Sequence, residues 1–144
     1  MDTSGIHLWL VLWKVYDACH AQALGSIENL RMCYSDFAVL ECLLHKGALP
    51  VNAIGQKISL TSGSISTAVD RLEERGLVER RDSKTDRRAK IVTLTAQGKR
   101  LIKDAFNKHE RDMEQIAMSL SETERQTLLK LLKKLGHAAA GVAV

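Results

Sequence analysis

The fold of this chain is decided by residues 51–76, VNAIGQKISLTSGSISTAVDRLEERG, and by residues 77–95, LVERRDSKTDRRAKIVTLT. The first stretch predicts a short helix at Val51–Ile58, a turn rich in Ser, Thr and Gly at Ser59–Ser64, and a second helix beyond it. Gly76 is the natural residue to close that second helix, because glycine adopts the left-handed conformation found after a last helical turn. Two helices joined by a tight turn predict a helix-turn-helix.

The second stretch predicts a β-hairpin with a basic tip. Leu77–Arg81 and Ala89–Thr95 are strand-like, and the polar residues Asp82–Asp86 between them are typical of a turn. Basic residues accumulate on the hairpin and on the end of the helix before it: Arg71, Arg75, Arg80, Arg81, Lys84, Arg87, Arg88 and Lys90. A solvated charged loop would explain the charges alone. A basic hairpin directly after a helix-turn-helix indicates DNA, since arginine fits the narrow minor groove.

Two helices are predicted before this region. The first starts near Ile6, has apolar residues at steps of three or four, and ends near Gly25. The second has Ser35 as its N-cap and ends at Gly47.

Two more helices are predicted after the hairpin. A long helix from Ala96 has a seam of residues at alternating steps of four and three, which is typical of a helix that packs against a partner. The seam consists of Ile102, Phe106, His109, Met113, Ile116 and Leu120. Ser121 and Glu124 form a capping box that opens the last helix, and Gly136 is expected to end it.

The length and composition indicate one domain. A chain of 144 residues with 45% hydrophobic residues has enough apolar material for one core. We expect a mainly α fold with a small β-hairpin, in which residues 35–95 form a DNA-binding lobe. Residues 1–30 and 96–144 are expected to form a helical dimerisation lobe, so that residues 1–144 are a single winged helix-turn-helix domain.

The positive charge is concentrated in one region. Residues 61–100 contain ten Lys/Arg and six Asp/Glu, whereas residues 1–60 contain four Lys/Arg and five Asp/Glu. This asymmetry indicates an acidic partner such as nucleic acid.

Several classes of protein lack support in the sequence. No stretch approaches the roughly 18 continuous apolar residues of a membrane span, which favours a cytoplasmic protein without membrane contact. Three cysteines without a C-x-x-C pair argue against a disulfide framework and against structural zinc, and the histidines are too scattered for any metal site. Neither G-x-S-x-G nor G-x-x-x-x-G-K occurs, so we expect no enzyme and no cofactor.

Two motifs in the hairpin region carry a family resemblance. They are G-L-V-E-R at Gly76–Arg80 and D-R-R-A-K-I-V-T-L-T at Asp86–Thr95, followed by Gly98. Through them the chain resembles the MarR (multiple antibiotic resistance regulator) family, and the order of the helices is similar over nearly the whole chain. The family pattern D-x-R-x-x-x-V-x-L-T is matched at Asp86, Arg88, Val92, Leu94 and Thr95.

The resemblance implies a homodimeric DNA-binding transcription regulator, usually a repressor. It implies that helix 62–75 enters the major groove and that Arg88, oriented by Asp86, enters the adjacent minor groove. Two-fold symmetry then predicts a palindromic operator with half-sites about 10 base pairs apart. The candidate DNA-binding residues are Thr61, Ser62, Ser64, Ser66, Thr67, Arg71, Arg87, Arg88 and Lys90. The hydroxyl residues among them allow close approach to bases and phosphates, but residues of this kind also serve only to cap a helix.

Aromatic residues suggest where an effector binds. Five of the six aromatic residues lie in the first 37 positions: Trp9, Trp13, Tyr16, Tyr34 and Phe37. In proteins of the resembled family this region is a junction that holds the ligand, although aromatic residues at helical spacing are also typical of a core. L-W-L-V-L-W-K at Leu8–Lys14 and L-T-S-G-S-I at Leu60–Ile65 resemble the branch that responds to hydroquinones, which favours a small aromatic or phenolic effector.

Two alternatives remain open from the sequence. In the first, oxidants are sensed by Cys33 or Cys19, of which Cys33 lies near a helix N-terminus and beside Arg31, whereas Cys42 among leucines is expected to be inert core. In the second, the winged helix binds a protein, in which case its hairpin would be expected to lack the basic tip.

Overall fold

The computed structural model describes residues 1–58, 60–83 and 89–141, apart from the side chain of Ser62. Within these residues lie six α-helices and three short strands. In chain order they are α1 (Gly5–Ile27), α2 (Tyr34–Lys46), β1 (Leu49–Pro50), α3 (Val51–Ile58), α4 (Ser62–Glu74), β2 (Val78–Asp82), β3 (Lys90–Leu94), α5 (Ala96–Ala117) and α6 (Glu122–Ala139). This architecture is the mainly α fold with a small hairpin that the sequence predicts.

The sheet contains one strand that the sequence did not reveal. Its order is β1-β3-β2, and both pairs are antiparallel. In β1, Leu49 pairs with Val92 and Pro50 with Ile91. Pro50 is tolerated there because β1 is an edge strand, where a missing N–H leaves no neighbour unbonded. The helix-turn-helix is thus attached to the hairpin through the residues that precede α3.

One continuous core joins the elements. Its fully buried large side chains come from the end of α1, from α2, α3 and α4, from the hairpin and its base, and from the first half of α5: Ile27, Phe37, Val39, Leu40, Ile54, Ile65, Val69, Leu72, Leu77, Val78, Val92 and Ile102. Burying one such side chain contributes roughly 1.5 to 3 kcal/mol relative to its exposure. The helix-turn-helix and the base of the hairpin are therefore held by the same core.

Local signals placed several helix ends correctly. Gly47 ends α2 with φ 77° and donates its N–H to the carbonyl of Leu43 at 3.0 Å. Gly76, with φ 68°, donates to the carbonyl of Glu73 at 2.9 Å, and Leu77 donates to Leu72 at 2.9 Å, which together form a Schellman motif after α4.

Two other helix boundaries lie about two residues from the predicted positions. Helix α1 continues through Gly25 to Ile27 and into a turn of 3₁₀ helix at Glu28–Leu30, because one helical glycine costs only about 1 kcal/mol. Helix α2 starts at Tyr34 with Cys33 as N-cap, since the hydroxyl of Ser35 contacts Cys33 Sγ at 3.0 Å instead of capping.

The capping box at Ser121 and Glu124 is confirmed, but α6 runs past Gly136 to Ala139. A Cβ at Gly136 would meet nothing within 4 Å, so the glycine marks neither a turn nor a close contact. The sequence therefore predicted the start of α6 correctly from the capping box, but the glycine did not predict its end.

The α5 seam packs largely within the chain. Ile102 is fully buried in the core, the His109 ring lies 5.2 Å from that of Phe37, and the Phe106 ring lies 4.6 Å from that of His45. Ile116, near the end of α5, is exposed. The first turns of the seam therefore contact α2 and, through His109 and Ser26, α1 of the same chain, while Phe106 and His109 stay partly exposed.

Large apolar side chains remain exposed on α1 and α6. None of the described residues of α6 is buried. The exposed set on these two helices comprises Ile6, Leu8, Trp9, Leu10, Val11, Trp13, Val15, Tyr16, Leu24, Leu128, Leu129, Leu131, Leu132 and Leu135. Soluble monomers rarely leave so much contiguous apolar surface uncovered.

Of the helices in the described residues, none has the length and apolar content that a bilayer span requires.

Candidate nucleic-acid interface

Helix α4 has one apolar face and one face of small polar residues. Its apolar residues Ile65, Ala68, Val69 and Leu72 are completely buried. Its other side exposes Gly63, Ser64, Ser66, Thr67 and Asp70. Short side chains leave the helix backbone close to its outer surface, so this face can approach the floor of a groove without a steric barrier.

The start of α4 is held by its own hydroxyls. Thr61 caps the helix, with Oγ1 accepting from the N–H of Ser64 at 3.3 Å and sharing a hydrogen bond with the Ser64 hydroxyl at 2.9 Å. Thr67 Oγ1 donates to the carbonyl of Gly63 at 3.0 Å. Capping therefore accounts for Thr61, as the alternative interpretation of the sequence had it, while the hydroxyl of Thr67, which donates within the helix, can still accept from a further partner.

Arg71 lies against α2. Its Nη2 is 2.5 Å from Asp36 Oδ1, and its Nε donates to both carboxylate oxygens at 3.2 and 3.3 Å. Nη2 also donates to Cys33 Sγ at 3.1 Å and to Ser35 Oγ at 3.4 Å. The hydrogen bond to Asp36 is the main reason that the pKa of Arg71 is raised above its usual value. The sequence suggested Arg71 as a DNA contact, whereas the structure shows its guanidinium engaged with the first turn of α2.

Sequence reasoning missed Asp36, the acid on α2 that binds Arg71. Asp36 is only 3% exposed, and it lies on the face of α2 that also holds Leu40 and Leu43. The signal was present in the sequence, because an acid four and seven residues before buried leucines must find a cation inside the fold.

Basic residues on the described part of the hairpin are paired with acids. Arg80 binds Glu73 and, at 2.5 Å, Asp70, so it crosses from β2 to α4. Partial burial alone would lower the pKa of Arg80, but the hydrogen bonds to the two carboxylates outweigh it and raise the pKa. Lys90 pairs with Asp82 directly across the two strands.

The hairpin tip falls outside the described residues. This applies to Asp86, Arg87 and Arg88, and to Lys84. The predicted roles of Arg87 and Arg88, and of Asp86 as their support, stay predictions, as does that of the Ser62 side chain.

The base of the hairpin is fixed to α5. Thr95 caps α5 by accepting from the N–H of Gly98 at 3.0 Å, and its hydroxyl donates to the carbonyl of Gly76 at 2.7 Å. Its own N–H donates to the carbonyl of Leu77 at 3.1 Å. Gly98 packs so closely that an added Cβ would lie 1.9 Å from Leu77 O. The position of the hairpin thus depends on contacts between α5 and the end of α4.

The effector candidates divide into two groups. Trp9, Trp13 and Tyr16 are exposed and, together with Leu12, line an apolar cleft of about 460 Å³ on α1. Phe37 is fully buried, so it belongs to the core and offers no free surface to a ligand.

Tyr34 is half-buried at the junction of α1 and α2. Burial raises the pKa of its hydroxyl above the usual value, and Glu41 adds to this effect. Its ring meets that of His20 edge-on at 5.0 Å, and His20 stacks on Tyr16 at 5.4 Å. His20 was not predicted as part of this cluster, although it falls four residues after Tyr16 on the same helix face.

The three thiols differ in exposure. Cys33 is exposed, Cys19 is partly exposed and Cys42 is buried. Burial is the first cause of a raised pKa at Cys42, which agrees with its interpretation as core. Among the described residues, no three His, Cys, Asp or Glu side chains are grouped so that they could hold a metal ion.

These elements define a class of protein. A helix-turn-helix of α3 and α4, followed by the antiparallel hairpin of β2 and β3 on the same core, is a winged helix-turn-helix. A family model described as the MarR family matches residues 34–90, which span α2 to the start of β3. The HTH-type transcriptional regulator MhqR of Bacillus subtilis (strain 168) is 36% identical over 136 residues, covering 94% of this chain and 94% of that protein. The chain belongs to the MarR family and is a DNA-binding transcriptional regulator.

Solved structures agree with this fold. A mutant MarR from E. coli, complexed with operator DNA, matches with a TM-score of 0.82 at 23% identity, covering 90% of this chain and 94% of that one. BpsR of Bordetella bronchiseptica, from work on the regulation of its DNA binding by 6-hydroxynicotinic acid, matches with a TM-score of 0.81 at 24% identity, covering 93% and 94%.

Proposed function

We propose that this chain binds a palindromic operator as a homodimer and represses transcription until a small aromatic effector releases it. The observation that carries the proposal is the exposed face of α4. Gly63, Ser64, Ser66 and Thr67 form a slim polar surface directly beside the hairpin. An α-helix fits the major groove, where hydroxyls bond to base edges or phosphates, and the hairpin then reaches the adjacent minor groove through Arg88.

The charges around α4 support contact with DNA. Asp70 and Glu73 lie near the exposed side of this helix and would repel phosphates if they were unpaired. Arg80 binds both carboxylates from β2 and neutralises much of their charge. The basic residues Arg81 and Lys90 of the hairpin are themselves paired with acids, so the excess positive charge that DNA requires is proposed to come from Lys84, Arg87 and Arg88.

We propose that a second copy of the chain buries the exposed apolar side chains of α1 and α6. Among the described residues, α6 contributes none to the core that holds the helix-turn-helix, and α1 contributes Ile27 at its C-terminal end. A two-fold dimer through them buries the leucines of α6 and presents two α4 helices to one DNA duplex. The solved E. coli relative, complexed with operator DNA, supports DNA binding by this fold.

The aromatic effector is proposed from the cluster around Tyr34. Trp9, Trp13 and Tyr16 offer apolar ring surface on α1, and Tyr34 and His20 offer polar groups beside it. Such a mixture suits a phenol or hydroquinone, which combines a flat ring with hydroxyls. The relative BpsR, with its aromatic 6-hydroxynicotinic acid, supports this class of ligand.

Thiol sensing is the second candidate, and one contact favours Cys33 over Cys19. Cys33 is exposed, and Nη2 of Arg71 on α4 donates to its sulfur at 3.1 Å. A peroxide that oxidises this thiol to a sulfenic acid, and is itself reduced to water, would alter a group in direct contact with the DNA-binding helix. Mass spectrometry of the protein after one equivalent of hydrogen peroxide tests this candidate.

Fluorescence anisotropy tests the main proposal. The protein is titrated into a labelled duplex with the palindrome upstream of its own gene, and into an unrelated duplex, at several salt concentrations. We expect an affinity for the palindrome on the order of 1,000-fold or more above that for unrelated DNA, and a steep fall with salt. Equal affinity for both duplexes would contradict operator binding, and no binding to either would favour a protein-binding module.

A further inference from the structure

The best-connected ion pair of the described residues joins the DNA-binding helix to α2. Asp36 is nearly inaccessible to solvent, and the only charged side chain bound to it among the described residues is that of Arg71. Arg71 approaches with Nε and Nη2 side by side, which fixes the direction of the guanidinium as well as its distance. A buried carboxylate held in this way cannot change partners without a large penalty.

The two residues of this ion pair lie beside the DNA-binding face of α4 and near the aromatic cluster around Tyr34. Arg71 lies one turn beyond Thr67, at the end of the exposed polar face of α4. Asp36 lies in the first turn of α2, two residues after Tyr34, whose ring contacts His20 of α1. Cys33 and Ser35 of the same turn also accept from Arg71, at 3.1 and 3.4 Å. The first turn of α2 therefore touches the aromatic cluster on one side and α4 on the other.

We propose that Arg71 is a positioning residue for DNA recognition, which holds α4 at the angle set by the first turn of α2 through Asp36. Its side chain is 41% exposed, but its guanidinium is bound by Asp36, and the bases are contacted by the small residues before it. The proposal rests on the proposed operator binding. It adds that a displacement of the first turn of α2 displaces the DNA-binding helix through this pair.

Removal of the Asp36 charge distinguishes a positioning role of Arg71 from a direct contact between Arg71 and a phosphate. If Arg71 binds phosphate, then removing Asp36 frees a cation and raises the net charge, so binding to every DNA becomes tighter. If Arg71 positions α4, then removing Asp36 weakens operator binding despite the added positive charge. Arg71→Lys keeps the charge but loses the two-pronged contact, so it is expected to act like the loss of Asp36.

The experiment compares Asp36→Asn, Arg71→Lys, Arg71→Gln and the double variant Asp36→Asn/Arg71→Gln with the wild-type protein. Affinities for operator and for unrelated DNA are measured at several salt concentrations, at a temperature where circular dichroism shows each variant folded. Asp112→Asn is the matched control, because it also removes one acid from an ion pair, that with Lys108 within α5, without touching α2 or α4.

We expect each α2–α4 variant to lose operator affinity by roughly tenfold. The double variant should lose no more than either single variant, because the pair acts as one unit. Affinity for unrelated DNA and its salt dependence should stay close to wild type, and Asp112→Asn should not lose operator affinity. The ratio of operator affinity to affinity for unrelated DNA is therefore expected to fall only when the ion pair between Arg71 and Asp36 is removed.

Three results would overturn the proposal. Loss of affinity for both DNAs with a salt slope smaller by about 1 in Arg71→Gln alone would show a phosphate contact. Unchanged affinities together with a lower Tm would show a purely structural pair. If Asp36→Asn does not fold, the affinity of the Arg71→Lys variant is the test. Operator affinity equal to wild type in Arg71→Lys would contradict the proposal. Failure of the wild-type protein to prefer its operator would instead contradict the proposed function itself.

Discussion

Replacement of Gly98 by alanine should destabilise the protein through a backbone clash. The new Cβ would lie 1.9 Å from Leu77 O and 2.8 Å from Leu77 C, so α5 must move away from Leu77 by more than 1 Å to reach even a tight contact of 3.0 Å. A shift of that size also breaks the hydrogen bond from Thr95 N–H to Leu77 O, now 3.1 Å. Overpacking of this kind costs about 1 to 3 kcal/mol and the hydrogen bond about 1 kcal/mol more.

Thermal unfolding followed by circular dichroism at one fixed protein concentration measures this cost. A loss of about 2 to 4 kcal/mol corresponds to a fall in Tm of roughly 5 to 15 °C for a chain of this length. Gly25→Ala is the matched control, because Gly25 lies within α1 and an added Cβ there meets nothing within 4 Å. It should raise stability by about 0.5 to 1 kcal/mol. If Gly98→Ala is as stable as Gly25→Ala, the close approach of α5 to the base of the hairpin is refuted.

Three further predictions concern the hairpin, the dimer and the thiols. Arg88→Ala should leave the fold intact and weaken operator binding by about 1 to 3 kcal/mol in anisotropy titrations; an unchanged affinity would exclude a minor-groove role. Leu128→Glu/Leu132→Glu should yield a folded monomer by light scattering, because both leucines are exposed in the single chain and charge there opposes association; a surviving dimer would move the interface elsewhere. Maleimide at pH 7 should label Cys33 much faster than Cys42, whose burial hides the thiol and raises its pKa, and equal rates would contradict this burial.

The sequence predicted the elements whose signals are local. Gly47 and Gly76 need a positive φ at the end of a helix, and Ser121 with Glu124 satisfies the first turn of α6 by itself, so neighbouring residues suffice to locate them. Gly25 shows the limit of such signals. A glycine permits a helix to end but does not force it to, and α1 continues to Ile27.

Long-range contacts were harder to predict. The strand Leu49–Pro50 exists only because β3 lies beside it, more than 40 residues later in the chain. The seam of α5 was correctly periodic, but periodicity does not say whether the partner is α2 of the same chain or a helix of another. Asp36 was visible as an acid on an apolar face, yet its partner Arg71, 35 residues away, required the fold.

The candidate site was predicted in outline. The exposed hydroxyl face of α4 follows from helical spacing, because the buried residues Ile65, Val69 and Leu72 fix which side faces outward. The pairing of Arg71 with Asp36 does not follow from spacing, because a long side chain at the edge of a face reaches to either side.

The central claim is that two copies of the chain place their α4 helices in successive major grooves of one operator. Methylation-protection footprinting on the DNA upstream of the gene, with both strands labelled, tests this claim most directly, since it reports contacts in the major groove. We expect two protected segments related by two-fold symmetry, with centres about 10 base pairs apart, at the same protein concentration. A single protected segment, or protection that does not depend on sequence, would contradict the account.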